Sequence, residues 1–424
     1  MPLDTEHLTS KIVVNLNQVA YALTQALDLV GVDKVQHGQR VAYMAKECGR
    51  LMELNDQQLV DLFHASMLHD CGVSSTRIHK HIVMEFDWKD SENHCRIGEN
   101  LISQFGPFAH LAPIIRYHHT HWDELIEKDL PQEVKLLTNC IFLVDRVDSL
   151  LSQTTGMDVL VSSRSAVKTI KELAGTFFSP NLVDIFQEVS NNESFWLTLE
   201  PISLHEYLRS LEATPGNTVD LEDLKHLAIV FARIVDAKSP FTYEHSQGVA
   251  QLASHIGHIA GLSPIHCDML EVAGLLHDLG KLRVPDEILE KPGPLNSEET
   301  AVMRHHSFDT YRILHQIEGL QDIASWAANH HETLLGDGYP FRHNASELPI
   351  EARIIVVADI FQALAQNRPY RAGMNPEQIR GQLHELAAQG KLDEHVVSLV
   401  DNDFPACWQA AKGGKLDSSA LRAQ

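Results

Sequence analysis

Basic residues are scarce in this chain of 424: Lys and Arg number 34 against 57 Asp and Glu, a formal charge of −23. That balance excludes a broad electrostatic grip on a nucleic acid polymer or an anionic membrane. A small phosphate-bearing ligand is not excluded, since it needs only a local cluster of cations or metals. The six cysteines (Cys48, Cys71, Cys95, Cys140, Cys267, Cys407) include no CxxC pair, so there is no zinc-finger signal, and free thiols in a reducing cytoplasm are expected. No apolar run approaches the roughly 20 residues that span a bilayer. The start, MPLDTEHLTSK, lacks the basic and apolar regions of a signal peptide, and a cytoplasmic location is the expectation. Strand-like alternation is also scarce.

What is present reads as helix. QLVDLFHASMLHD, HSQGVAQLASHIGHIAG and PIEARIIVVADIFQALAQN place apolar residues at steps of three and four. The length suits two or more domains. The best break is EATPGNTVD, residues 212–220, where Pro215, Gly216 and Asn217 punctuate and Asp220 can cap the next helix. The expectation is an all-α chain of two tandem helical-bundle domains, 1–213 and 214–424, with a frayed tail from Lys412.

The two halves repeat one another. The first carries His37, His69-Asp70, His94, His118-His119 and Asp145; the second carries His245, His277-Asp278, His306, His330-His331 and Asp359. In both, 32 residues separate the first histidine from the second, and 24 separate the third from the pair. The remaining gaps differ by loop-sized amounts. The 24-residue spacing also selects His306 over its neighbour His305. A lone histidine on an apolar helix face is usually a satisfied core residue, but five His and two Asp built twice in one order are hard to explain as packing. Imidazole and carboxylate are ligands for Fe, Mn, Ni, Co or Zn, and a metal centre is the reading of these residues.

His245, His277-Asp278 and Asp359 resemble the H…HD…D pattern of the HD phosphohydrolase superfamily. With His306, HHE at 330–332, GDGYP at 336–340 and RPYR at 368–371, residues 225–410 resemble the HD-GYP family, bacterial phosphodiesterases that open cyclic dinucleotides. The first half resembles a plain HD domain. The resemblance implies two divalent transition metals, Fe or Mn first and Ni, Co or Zn as alternatives. His245, His277, Asp278 and Asp359 would hold one, and Asp278, His306, His330 and His331 the other, with Asp278 bridging. Such a pair can activate water and neutralise charge on a phosphodiester. Asp278 and Lys281 would serve catalysis; Lys281, Tyr339, Arg368 and Arg371 would hold substrate, guanidinium suiting phosphate and base edges.

Three departures from the family pattern bear on substrate. Leu335 stands where an Asp is usual, three residues after the HHE glutamate. Phe241 stands where members with three metals supply a carboxylate, so two metals are expected. Gln362 replaces a common acidic residue. The first half keeps the ligand types (His37, His69, Asp70, His94, His118, His119, Asp145) as a possible second metal site, but has Val73 at the lysine position and Thr154 and Met157 at the arginine positions, with no Gly-Tyr-Pro. Asp33, four residues before His37, is a possible extra ligand, and a solvated surface Asp is its plainer reading.

The resemblance therefore implies hydrolysis of a 3′,3′-cyclic dinucleotide to a linear 5′-phosphorylated one, with 3′,3′-cyclic GMP-AMP favoured and cyclic di-GMP next. The first half would be a structural or regulatory copy, a metal-bound sensor, or a 5′-nucleotidase acting on the linear product. Di-iron oxygenase chemistry and a non-catalytic cyclic dinucleotide receptor are the alternatives. Lys281, Arg368 and Arg371 favour a phosphate substrate over the first, and a full ligand set favours catalysis over the second.

Overall fold

The computed structural model describes residues 13–31, 36–154, 156–212, 218–238, 245–367 and 372–412. Asp33, Phe241, Arg368, Arg371 and the tail beyond Lys412 lie outside them. The described residues are predominantly helical with almost no strand, and none of their helices is long and apolar enough to cross a membrane. The paired strands among them form one two-residue antiparallel ribbon, Val14 opposite Val219 and Asn15 opposite Thr218.

Several helix starts carry side-chain caps. Asn55 with Gln58, Asn296 with Glu299 and Asn375 with Gln378 form reciprocal capping boxes. Asp220, the residue expected to cap, accepts from Glu222 N and Asp223 N at the head of Leu221–Ala237. Each such cap contributes on the order of 1 kcal/mol.

The repeat in sequence is a repeat in space. A helix beginning at the first histidine (His37–Leu51; His245–Ile259) packs on one ending just before the His-Asp pair (Asp56–Leu68; Pro264–Leu276). The third histidine rides on Ser91–Ile102 or Ser297–His315, and the last aspartate on Gln132–Gln153 or Ile350–Ala365. Glycine two residues after the HD aspartate lets the turn approach the third histidine's helix. A Cβ on Gly72 would lie 2.0 Å from His94 O, and one on Gly280 2.1 Å from His306 O. The adjacent histidines stand at helix ends. His118 directly follows Ala112–Tyr117, and His330-His331 occupy a single 3-10 turn after Gln321–Ala328. Consecutive residues of an α-helix point about 100° apart, so both can face one centre only where the helix ends.

The halves share a core. Helix Leu16–Asp28 packs on Asp56–Leu68 of its own half, and its Val19, Ala22 and Leu23 also face Phe231, Ile313 and Leu314 of the other. A polar clasp lies beside this apolar seam. Asp286 accepts from Ser75 Oγ (2.8 Å), Thr76 N (3.3 Å) and Arg77 N (3.4 Å), so a second-half carboxylate caps the first-half helix Thr76–Met84. The fully buried Lys238 ammonium sits 3.4 Å from Asp286 and donates to Leu282 O (2.9 Å) and Thr76 Oγ1 (3.2 Å). Removing one partner of a buried pair leaves the other charge uncompensated. Asp286→Ala is expected to cost about 2–4 kcal/mol of stability, read as a lower urea midpoint at unchanged slope.

Candidate metal centre

In the second half, His245, His277, Asp278, His306 and His330 are buried, with Asp359 at 9% exposure, and their polar atoms converge. Asp278 stands between two groups. Its Oδ2 lies 3.2 Å from His277 Nε2 and 3.7 Å from His245 Nε2; its Oδ1 lies 3.7 Å from the Nε2 of both His306 and His330. Asp359 Oδ1 completes the first group, 3.3 Å from His245 Nε2. His306, His330 and His331 form a set able to hold an ion, as do His245, His277 and Asp359. His305, the rejected neighbour, is exposed.

Ring orientation follows from backbone geometry. His277 Nδ1 donates to Gly274 O (2.7 Å), His306 Nδ1 to Met303 O (2.6 Å) and His330 Nδ1 to Ala327 O (2.6 Å), each three residues back. A proton held on Nδ1 leaves Nε2 as a lone pair facing the centre. His245 Nδ1 is held by Gln362 Oε1, so the amide at this position retains the acceptor that a carboxylate would supply.

The consequence is electrostatic. His306 Nε2 and His330 Nε2 face each other at 3.1 Å while both Nδ1 protons are committed to carbonyls, so two lone pairs oppose. Burial pushes His306 down to about 3 and His331 to about 4, and pushes His330 well below its usual range, so no proton relieves that opposition near neutral pH. Burial acts to raise the Asp278 carboxyl, but His277 and Lys281 outweigh it and hold the group well below the ordinary carboxylate range. His277 Nε2 and Asp278 Oδ1 are buried without a hydrogen-bond partner. Imidazole nitrogens and ionised carboxylates converging on one buried volume suit divalent transition metals, and these residues fit the implied pair.

The substrate-side residues of the sequence reading fall around this cluster. Lys281 Nζ is 2.5 Å from Asp278 Oδ2. Tyr339 stacks on His331 with centroids 4.7 Å apart, and the Arg304 guanidinium lies over the Tyr339 ring, 4.8 Å from its centroid. The HHE glutamate seats the loop: Glu332 Oε1 accepts from Phe341 N (2.7 Å) and Arg342 N (2.9 Å). A Cβ on Gly338 would lie 2.5 Å from Glu332 Cα, so glycine is required for that approach. Leu335 is 58% exposed, and the seating of Glu332 does not depend on it. A cleft of about 520 Å³ opens beside His330, His331 and Asp359.

The first half reproduces the plan. Asp70 Oδ1 faces His94 and His118 Nε2 at 3.4 and 3.6 Å, and Oδ2 faces His69 and His37 Nε2 at 3.5 and 3.8 Å. Asp145 Oδ1 lies 3.4 Å from His37 Nε2, and its Oδ2 lies 3.9 Å from His119 Nδ1. Asp148, the counterpart of Gln362, holds His37 Nδ1 at 2.7 Å. Both Asp70 oxygens and the Nε2 of His37, His69 and His119 are buried without hydrogen-bond partners. The surroundings differ. Arg146, fully buried, donates to Asp145 Oδ2 (2.8 Å) and to the carbonyls of Glu85 (3.1 Å) and Phe86 (2.9 Å). The corresponding residue of the second half is Ile360, on the open cleft. Val73 is buried at the lysine position, and the first-half cavity, lined by His37, His69, Asp70 and Val73, is only about 20 Å³.

One pair of repeated residues escaped the sequence reading. Asp28 and Asp236 each precede the first histidine by nine residues. Asp28 accepts from Gly38 N (2.9 Å) and Gln39 Nε2 (2.9 Å), and Asp236 from Ser246 Oγ (3.1 Å), each fixing the start of a histidine-bearing helix. Burial raises Asp28 to about 6 and Asp236 to about 7. The equal offset was the available signal.

Residues 229–396 match the HD domain family. The 3′3′-cGAMP-specific phosphodiesterase 1 of Vibrio cholerae is 36% identical over 91% of this chain and 91% of its own length. A cyclic di-GMP phosphodiesterase of Thermotoga maritima is 37% identical over 36% of this chain and 41% of its own. The crystal structure of a cyclic GMP-AMP specific phosphodiesterase of V. cholerae superposes with a TM-score of 0.65 at 24% identity, covering 93% of this chain and 98% of that one, which shows a shared fold. Similarity sustained along nearly the whole of both chains, with the Gly-Tyr-Pro loop seated on the paired histidines, shows that this chain belongs to the HD-GYP family of the HD phosphohydrolase superfamily.

Proposed function

We propose that the second half is a metal-dependent phosphodiesterase that hydrolyses a 3′,3′-cyclic dinucleotide, with 3′,3′-cyclic GMP-AMP preferred to cyclic di-GMP. The observation that carries the reading is Asp278, each of whose oxygens faces a different histidine pair beside a substrate-sized cleft. The relatives named for these substrates support it, the one for cyclic GMP-AMP along almost the full chain.

His245, His277, Asp278 and Asp359 would hold one metal, and Asp278, His306, His330 and His331 the other, with Fe or Mn the first candidates. Bound there, the pair supplies Lewis acidity and a water of lowered pKa. The chain's own groups supply orientation and charge. Asp278 stays ionised at neutral pH, the anchored imidazoles keep Nε2 toward the centre, and Lys281 brings a fixed positive charge to the side where phosphate charge develops. Tyr339, Arg368 and Arg371 would position the dinucleotide. In the net reaction a water oxygen adds to phosphorus, the P–O3′ bond breaks, and a proton passes to the 3′ oxygen. The product is linear and bears a 5′-phosphate.

For the first half we propose a metal-bound structural or regulatory copy. Its ligand types are complete, but Arg146 ties Asp145 to the end of helix Thr76–Met84, and the remaining cavity holds little more than an ion or a water.

Asp278→Ala and His277→Ala are expected to abolish cleavage with helical circular dichroism retained. Turnover like that of the wild type in either variant overturns the assignment. Metal-reconstituted protein given cyclic di-GMP, 3′,3′-cyclic GMP-AMP and cyclic di-AMP separately is expected to yield linear products in a chromatographic assay, fastest from the second. Incubated with the linear product, the wild type and His69→Ala/Asp70→Ala are expected to release equally little inorganic phosphate. Release that the double variant loses reassigns the first half as a 5′-nucleotidase.

A further inference from the structure

The cleft beside the metal centre has one wall that the reaction chemistry does not use. Beyond His330, His331, Glu332, Thr333 and Asp359 it is lined by the apolar side chains of Ile360, Leu364, Leu386 and Leu392, with Lys391 among them. Apolar faces with a few convergent polar groups are how proteins take flat heterocycles. Lys391 is held by its backbone: its N–H donates to Leu386 O (3.0 Å), and its carbonyl accepts from Leu334 N (3.3 Å), three residues past the paired histidines. The loop carrying it cannot shift without moving the HHE segment. The Lys391 side chain is half-buried, and among the described residues its ammonium has no ion-pair or hydrogen-bond partner. A half-buried cation that lines this cleft and has no partner among the described residues is free to meet an acceptor on a ligand.

Resting on the phosphodiesterase reading, we propose that this wall is a nucleobase subsite selective for guanine, in which Lys391 donates to the O6 and N7 acceptors of the base. The apolar pairs cover the purine faces. The edge is what discriminates: guanine presents two adjacent acceptors at O6 and N7, whereas adenine places a donor at N6 beside N7 and repels an ammonium there. Continuity with His330, His331 and Asp359 puts the base next to the phosphate being cleaved. Both favoured substrates carry at least one guanine, so the subsite serves either. Phosphate attraction alone would not need the apolar wall, and stacking alone would not need the lysine.

The test pairs a base change with a side-chain change. Dissociation constants and KM are measured for cyclic di-GMP and its 7-deazaguanine analogue, which lacks the N7 acceptor, on metal-loaded wild type, Lys391→Met and Lys391→Arg. Lys391→Met keeps the apolar stem, so folding is preserved. For the wild type, deaza substitution is expected to weaken binding by about tenfold, the range of one base-edge contact. For Lys391→Met the parent ligand is expected to bind about as weakly as the analogue, with no further deaza penalty and kcat held, and Lys391→Arg restores the difference. A deaza penalty that persists in Lys391→Met, no penalty in the wild type, or a loss confined to kcat each overturns the subsite. Failure of the metal-loaded wild type to cleave 3′,3′-cyclic GMP-AMP as well as cyclic di-GMP overturns the phosphodiesterase reading instead, because the dissociation constants do not depend on turnover.

Discussion

The site depends on a hydrogen bond that faces away from it. In both halves, imidazoles next to the HD carboxylate give their Nδ1 proton to the carbonyl three residues back, as His277 does to Gly274 and His69 to Ser66. That bond fixes the tautomer and ring plane and leaves Nε2 lone pairs converging on one volume. Lone pairs so arranged repel one another and the ionised Asp278 or Asp70. The fold can gather them only because helix ends and glycine contacts position them rigidly, and a cation is what makes the gathering favourable.

Much of this was legible because spacing in helices is geometry. A 32-residue interval is two helices and a turn, and a 24-residue interval is one helix with its return, so equal intervals in two halves mean equal positions in space. The same reasoning picked His306 over His305, and the burial of one and exposure of the other follow. Residues outside the repeated spacing were less visible. Lys238 and Asp286 meet across halves, and nothing local marks either as a partner. Arg146 has no charged counterpart, so comparing the halves by shared residues passed over it. Lys391 lies on a loop that enters the cleft from another pair of helices. Asp28 and Asp236 did keep a common offset, but lone aspartates near helix ends are common enough to hide.

The contrast between the halves shows how little separates two environments for one ligand plan. Where the second half has Ile360 and an open cleft, the first has Arg146 bridging Asp145 and the carbonyls of Glu85 and Phe86. Where the second has Lys281 beside its bridging carboxylate, the first has buried Val73. Access and charge, more than ligand identity, distinguish the copies.

The ribbon joining Val14 to Val219 and the seating of helix Leu16–Asp28 against Phe231, Ile313 and Leu314 bear on the order in which the chain is made. A ribosome delivers the first strand and helix about two hundred residues before their partners at Thr218–Val219, and roughly three hundred before the helix Ser297–His315. Until then, part of the opening helix has its apolar face to solvent. This helix is therefore made well before the surface that completes its burial, and until that surface arrives the nascent first half exposes an apolar face that a chaperone can cover.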